Sequence, residues 1–215
     1  MTTATTPAPG FKTVLIPLLV LFFFCAAVLV ITDHYTRDKI TKNMRDVELR
    51  TIDAVMPLPH DNDLHEDYIA INDPAYFGGN QEVTVYRARL GRQPAGVVFT
   101  PVTATGYSGK ILLAVGIADD GTLLGIRVIA HKETAGIGDR IEHTKSDWIT
   151  NFTGRSFANT PPDAWAVRVD GGTFDQLSGA TSTSRGVINA VRKVLDYFQA
   201  NRDRLYLEYN PESPP

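Results

Sequence analysis

An uncharged run of 18 residues near the N-terminus, Val14 to Ile31, restricts the possible folds of this chain more than any other feature. At about 1.5 Å per residue, a helix of this length nearly matches a hydrocarbon core of about 30 Å. A cleaved signal peptide is the alternative, but only Lys12 precedes the run as a basic side chain and no A-x-A site follows it. The sequence therefore predicts a cytoplasmic leader, residues 1–13, and one transmembrane helix, residues 14–32.

The charges beside this run favour a cytoplasmic location for the rest of the chain. Five basic residues follow the run closely: Arg37, Lys39, Lys42, Arg45 and Arg50. The positive-inside rule places such a segment in the cytoplasm, although the rule weakens for long translocated domains.

Composition narrows the classes of function. Of the 21 Lys and Arg residues, 20 follow Lys12, against 24 Asp and Glu, so the larger part of the chain lacks the basic excess that nucleic acid binding needs. The single cysteine, Cys25, cannot form an internal disulfide, and no CxxC, HExxH or paired-histidine pattern indicates a metal or iron–sulfur site. Any redox chemistry therefore requires an organic cofactor.

The hydrophobic period changes along the remaining sequence. Residues 33–56 have apolar positions at three- and four-residue steps and precede a polar loop at 60–81, so residues 33–80 are predicted as a helical stalk and loop. Four runs of period two then predict a mostly antiparallel sheet: Glu82–Ala88, Ala95–Thr100, Lys110–Ala118 and Thr122–Ala130. Asp119-Asp120-Gly121 predicts a hairpin turn between the last two.

Shorter elements and a terminal helix complete the prediction. We expect a short helix at Ser146–Phe152, a strand at Ala164–Val169 and a helix at 185–200, before a disordered tail at 204–215. The terminal helix has an apolar stripe formed by Val187, Ile188, Val191, Leu195 and Phe198. The fold class is α+β, with a sheet domain over residues 81–203.

The segment from Asp175 to Ser184 has the clearest chemical character. Four hydroxyl residues surround two small ones directly before the terminal helix: Ser178, Thr181, Ser182 and Thr183 beside Gly179 and Ala180. Small residues let a bulky group approach the backbone, and the start of a helix suits a phosphate. Arg185 is a candidate counter-charge.

Other interpretations of this segment remain open from the residues alone. A hydroxyl before an amphipathic helix is commonly an ordinary N-cap that binds no ligand. A nucleophilic serine would need a nearby base, and neither GxSxG nor a local histidine is present. The phosphate loop GxxxxGK[ST] is absent as well.

The segment resembles the S/T-G-A-T motif of the FMN-binding domains in the Rnf complex G subunit and in the C subunit of the sodium-pumping NADH:quinone oxidoreductase. In those families the FMN phosphate is esterified to the last threonine, which corresponds to Thr181 here. Asp175 matches the aspartate that precedes the motif. The resemblance implies a cofactor site that also contains Leu177, Ser178, Gly179, Ala180, Ser182 and Thr183.

Two further motifs extend the resemblance. Thr105-Gly-Tyr-Ser-Gly-Lys-Ile111 is similar to the family's glycine–tyrosine segment, and His131-Lys-Glu-Thr-Ala-Gly-Ile-Gly138 to its H-x-E-T-P-G-L-G loop. This chain has Ala135 in place of proline and Ile137 in place of leucine. Glu133 and the amides of Gly136 and Gly138 are our candidates for flanking the flavin ring, with Thr134 in the same loop, and Tyr107 is a candidate for stacking on the ring or covering it. The alternatives are a glycine-rich turn with an exposed acid and an ordinary core tyrosine.

By resemblance, the chain is one electron relay in a membrane-bound complex that couples ferredoxin:NAD oxidoreduction to ion movement. A separate flavin transferase would install the FMN from FAD in a magnesium-dependent step, and other membrane and peripheral subunits would be its partners. The resemblance places the soluble domain on the periplasmic side of the inner membrane, against the charge count. The alternatives are a C-subunit-like component of the sodium pump, an FMN-free anchored binding or structural module, and an independent extracellular reductase.

Overall fold

The computed structural model describes residues 11–79, 81–103 and 105–207 and divides into two compact units, Met1–Asp46 and Val47–Pro215. Helix α1, Phe11–Val55, contains the whole of the first unit that is described. The large apolar side chains from Leu15 to Ile31 are exposed in the isolated chain, and Phe23 and Phe24 are each 65% exposed. A stretch of 18 residues in this helix has a mean hydropathy of 2.9, so the length and composition of the helix allow it to cross a membrane.

A six-stranded sheet forms the centre of the second unit, and all of its strand pairs are antiparallel. The strands are β1 (Tyr68–Ile71), β2 (Val83–Leu90), β3 (Gln93–Thr100), β4 (Val102–Thr103), β5 (Ile111–Ala118) and β6 (Leu123–Ala130). The order is β1-β2-β3-β5-β4, and β6 also pairs with β5. The four predicted runs thus correspond to β2, β3, β5 and β6, and the α+β fold class is confirmed.

Alternating side chains divide each strand between two apolar layers. Val97 and Phe99 of β3 point to one face and pack with the C-terminal helix α3, Thr181–Leu207. Val98 points to the other face and joins a second cluster with Ile52 and Val55, near the end of α1. The five apolar residues predicted to form the stripe of the terminal helix are all buried. Alternate residues of a strand therefore pack into two different apolar layers, one on each face of the sheet.

Two predicted elements differ from the structure. The predicted loop at 60–81 contains β1 and a short helix α2, Pro74–Phe77, because the alternation in β1 is only four residues long and carries little periodic signal. The predicted strand Ala164–Val169 is wrong. That stretch forms two 3-10 turns, and only Val167 makes a bridge, to Phe174. Trp165 and Val167 are buried in an aromatic cluster instead, so their alternation reflects packing.

The remaining boundaries shift by a few residues. Residues Asp147–Phe152 form the predicted short helix as a 3-10 helix. Helix α3 begins four residues before the predicted position 185 and continues to Leu207, into the stretch assigned to the tail. Residues 1–10 of the predicted leader and 208–215 of the predicted tail lie outside the described residues.

Candidate cofactor site

A tight turn over Leu177–Ala180 leads into α3. The Ala180 amide donates to the Leu177 carbonyl at 2.9 Å, and Gly179 adopts a positive φ of 79° that favours glycine. Ser184, one turn into the helix, holds this turn from inside. Its Oγ accepts from the Leu177 amide at 3.0 Å and donates to the Ala180 carbonyl at 3.1 Å. The hydroxyl that ties the turn to the helix is therefore that of Ser184.

The hydroxyl residues of the motif differ in accessibility. Thr183 and Ser184 are fully buried, Ser178 and Ser182 are exposed, and Thr181 is half-buried as the first residue of α3. Among the described residues, the Thr181 hydroxyl has no hydrogen-bond partner, which argues against its acting as an N-cap. The amides of Thr181, Ser182 and Thr183 likewise have no partner in the described part of the chain. The unpaired Thr181 hydroxyl thus lies in the same turn as three unpaired backbone amides, which are hydrogen-bond donors.

The charged residues beside the motif are already paired with one another. Asp175 is exposed and forms an ion pair with Arg168 at 2.9 Å, while its carbonyl accepts from Trp148 Nε1 at 2.6 Å. Arg185, the candidate counter-charge for a phosphate, donates to both carboxylate oxygens of Asp170, at 2.6 and 2.7 Å. The hydrogen bond from Arg185 lowers the pKa of Asp170. Arg185 is therefore engaged with a carboxylate in this structure.

Glu133 lies below the surface, only 7% exposed, and bonds to the motif helix. Its Oε2 accepts from Thr183 Oγ1 at 2.6 Å, and its Oε1 accepts from the Ser108 amide at 2.9 Å. One carboxylate thus brings together the segment before β5, the loop after β6 and the first turn of α3. Tyr107, next to Ser108, is 78% exposed on this surface.

The loop after β6 is stabilised by its own hydrogen bonds. The Thr134 carbonyl accepts from the amides of Ile137 and Gly138, at 3.2 and 3.0 Å, so the Gly138 amide expected beside a flavin is occupied within the loop. The Thr134 side chain and Gly136, with a φ of 77°, are exposed.

A cluster of charged side chains holds the other side of this loop. Glu142 accepts from His131 Nε2 at 2.8 Å and from Lys145 at 2.9 Å. These hydrogen bonds, that of His131 first, lower the pKa of Glu142. Lys145 also bonds to Asp139 at 2.9 Å, and this bond is the main cause of the lowered pKa of Asp139.

Exposed apolar side chains lie on the segments that contact the motif turn and the first turn of α3. Ile137 is 45% exposed and lies against the motif turn, since a Cβ on Gly179 would be 3.3 Å from its Cγ2. Val169, 60% exposed, precedes the aspartate that pairs with Arg185. With Tyr107, these residues form what we call the apolar rim: Tyr107, Ile137 and Val169. Such a surface suits a planar aromatic group better than a solvated polar one.

Sequence reasoning did not identify three contributors to this site. Ser184 was not separated from the other hydroxyls, although its position four residues after Ala180 matches a hydroxyl that bonds back to a helix carbonyl. Ser108 contributes its amide, which leaves no signal in the side-chain pattern. Val169 was placed in a strand that does not exist.

Two comparisons define the class of protein. Residues 106–196 match the FMN-binding domain family. This stretch contains Thr181, the whole motif His131–Gly138, and the motif Thr105–Ile111 except for Thr105. The C subunit of the Na⁺-translocating NADH-quinone reductase of Parabacteroides distasonis has a similar fold, with a TM-score of 0.51 over 80% of this chain and 97% of that chain. At 17% identity this likeness concerns the fold alone. Residues 106–196 therefore match an FMN-binding domain, and the fold is similar to that of the C-subunit structure.

Sequence relatives identify the family more closely. The chain is 42% identical to the G subunit of the ion-translocating oxidoreductase complex of Pseudomonas aeruginosa, over 83% of this chain and 84% of that protein. It is 39% identical to the corresponding G subunit of Shewanella loihica, over 84% and 86% of the two chains. The chain belongs to the family of ion-translocating oxidoreductase complex G subunits. This membership and the apolar helix α1 together indicate a membrane-anchored protein.

Proposed function

We propose that this chain carries FMN as a phosphoester on Thr181 Oγ1 and relays electrons within a membrane-bound ion-translocating oxidoreductase complex. The observation that carries the proposal is the free, half-buried Thr181 hydroxyl at the first residue of α3. The three unpartnered amides of that turn would receive the phosphate oxygens, and the apolar rim would border the ring. When bound, FMN supplies reversible electron transfer that no side chain in this site provides.

Attachment requires a second protein. Thr181 Oγ1 would form a bond to the FMN phosphorus of FAD while the bond from that phosphorus to the AMP half breaks, so that AMP leaves and the hydroxyl proton passes to a base. Glu133, the carboxylate on the adjacent loop, already accepts hydrogen bonds from Thr183 and Ser108. A base and a bound magnesium ion would therefore come from a flavin transferase.

The covalent bond fits a shallow site. A tethered cofactor cannot dissociate, so the ring could lie on an open surface beside exposed Tyr107 and face an electron carrier elsewhere in the complex. We propose that this surface lies on the periplasmic side, opposite to the location that the basic residues after the apolar run favour. The apolar stretch of α1 has no charged side chain from Leu15 to Ile31, so the ion path would belong to other subunits.

The proposal is tested by in-gel flavin fluorescence of the denatured protein after coexpression with a flavin transferase. We expect a fluorescent band for the wild type and for Ser182→Ala, whose hydroxyl is exposed one residue away, and none for Thr181→Val. A fluorescent band for Thr181→Val would show that the flavin is attached to another residue. A dark wild-type band would favour the alternative of an FMN-free anchored module.

A further inference from the structure

One buried carboxylate fixes the turn that contains the proposed attachment residue. Thr183, whose hydroxyl donates to Glu133 Oε2 at 2.6 Å, lies two residues after Thr181 in the same helical turn. Ser108 binds the other oxygen through its amide at 2.9 Å. Glu133 therefore connects the first turn of α3 to two loops that are distant from it in sequence.

Glycines in both loops leave room for this carboxylate. A Cβ added to Gly106 would lie 2.7 Å from Glu133 Oε1, and a Cβ added to Gly138 would lie 2.7 Å from Glu133 Oε2. Contacts this short do not occur between a carbon and an oxygen that are not bonded. Any other residue at either position would displace the carboxylate. Neither glycine has a positive φ, so close packing explains them better than backbone conformation does. At Gly138 the close atoms all belong to Glu133, whereas at Gly106 the Gly109 carbonyl oxygen, which is even closer to the added Cβ, excludes a side chain as well.

The backbone of Glu133 is also fixed. Its amide donates to His131 Nδ1 at 2.9 Å, and His131 Nε2 bonds to Glu142 at 2.8 Å. Because Nδ1 accepts a hydrogen bond, the imidazole donates its own hydrogen from Nε2. The histidine thus holds the backbone of Glu133, while Thr183 binds its carboxylate.

The charge of this side chain is not needed to fill the space. Among the described residues, Glu133 forms no ion pair with Lys, Arg or His. Burial of an unpaired charge is costly, and glutamine would occupy the same volume without that cost. The first turn of α3 offers the positive end of the helix dipole and a hydroxyl donor, which favour a carboxylate here.

We infer that Glu133 is a positioning residue for flavin attachment. It holds Thr183 in the first turn of α3 and thereby orients the Thr181 hydroxyl for the transferase. This inference rests on the proposed function.

The test compares full-length variants as acceptors for a purified flavin transferase with FAD and Mg²⁺, with attachment measured by intact mass. Glu133→Gln removes the charge, Thr183→Val removes the donor and Thr183→Ser restores it. Glu66→Gln, an exposed acid elsewhere, is the control. We expect the turnover number for attachment to fall about tenfold or more for Glu133→Gln and Thr183→Val, the loss typical of a hydrogen bond to a charged group. The turnover number of Thr183→Ser should stay within about twofold of the wild-type value, because serine keeps a hydroxyl that can donate to Glu133.

Thermal unfolding of the unmodified variants separates positioning from loss of fold. A fall in the turnover number at temperatures where the variant remains folded supports the inference. If Glu133→Gln does not fold, the Thr183→Val and Thr183→Ser pair decides. Wild-type turnover in Thr183→Val, or in folded Glu133→Gln, overturns the inference and leaves the proposed function intact. A wild-type chain that receives no FMN on Thr181 overturns the proposed function itself.

Discussion

Arg185 and Asp170 form a two-point ion pair in which Nε and one terminal nitrogen of the guanidinium each bond to a different carboxylate oxygen, at 2.6 and 2.7 Å. The pair ties the first turn of α3 to the 3-10 turn Arg168–Asp170, on the side of the helix start where Val169 is exposed. The arginine closest in sequence to the proposed attachment residue therefore orders a loop, and in the proposed site the backbone amides of the turn would bind the phosphate.

Asp170→Asn should lower the thermal unfolding midpoint at pH 7 by a small amount, because both partners are partly exposed. Arg185 lowers the pKa of Asp170, so the ion pair contributes stability above the ordinary carboxyl pKa of about 4. That contribution is lost as the pH falls through the lowered pKa. The difference between variant and wild type should therefore shrink on acidification. A constant difference from pH 7 to about pH 2 would contradict this account.

Gly116→Ala should prevent normal packing of the end of α1 on the sheet. A Cβ on Gly116 would overlap the Val55 carbonyl oxygen, a backbone atom that cannot move without displacing the helix. We expect a loss of at least about 3 kcal/mol, the upper range for overpacking a core. Urea unfolding followed by tryptophan fluorescence measures it, since Trp148 and Trp165 both lie in the second unit.

Gly125→Ala is the matched control for this prediction. Gly125 is the partner of Gly116 across the β5–β6 pair, but its added Cβ would be 3.8 Å from Val55. That distance is an ordinary contact, so the change should cost little. Equal losses for the two variants would show that the approach of Val55 is not the reason for glycine at 116.

Asp67→Ala should destabilise the second unit by about 3–5 kcal/mol. Asp67 accepts from Arg87 Nε at 2.6 Å and from Arg89 Nε at 2.8 Å, and the Arg87 side chain is only 1% exposed. Without the carboxylate, the buried guanidinium of Arg87 loses its ion pair with Asp67. Glu66→Ala, at an exposed acid one residue earlier, should change the free energy of unfolding by no more than about 0.5 kcal/mol. Similar losses in the two variants would contradict the assigned role of Asp67.

The sequence predicted the elements with a long, regular period. Eight-residue strands such as β5 alternate between two apolar layers, and the stripe of α3 repeats over about three turns, so both elements are long enough to show a regular period. Four-residue β1 has no such signal. Trp165 and Val167 alternate because they fill an aromatic cluster around Phe174, and a period alone does not separate that packing from a strand.

The sequence indicated which segment of the chain forms the candidate site but not the contacts within that site. Resemblance selected Thr181 among adjacent hydroxyls, and this choice stays a prediction; among the described residues the Thr181 hydroxyl has no hydrogen-bond partner. The bond between Thr183 and Glu133 spans 50 residues, so no local pattern could reveal it. Arg185 was a candidate counter-charge for a phosphate, but its partner Asp170 ends a turn that begins inside the predicted strand Ala164–Val169.

The most direct test of the central claim is peptide mapping by mass spectrometry of this chain purified from its native membrane. The account predicts a peptide spanning Ser178 to Arg185 that carries one phosphoflavin, with fragment ions that assign it to Thr181 Oγ1. An unmodified Thr181 in a preparation whose complex retains its other cofactors would contradict the account, as would a phosphoflavin located on Ser178 or Ser182.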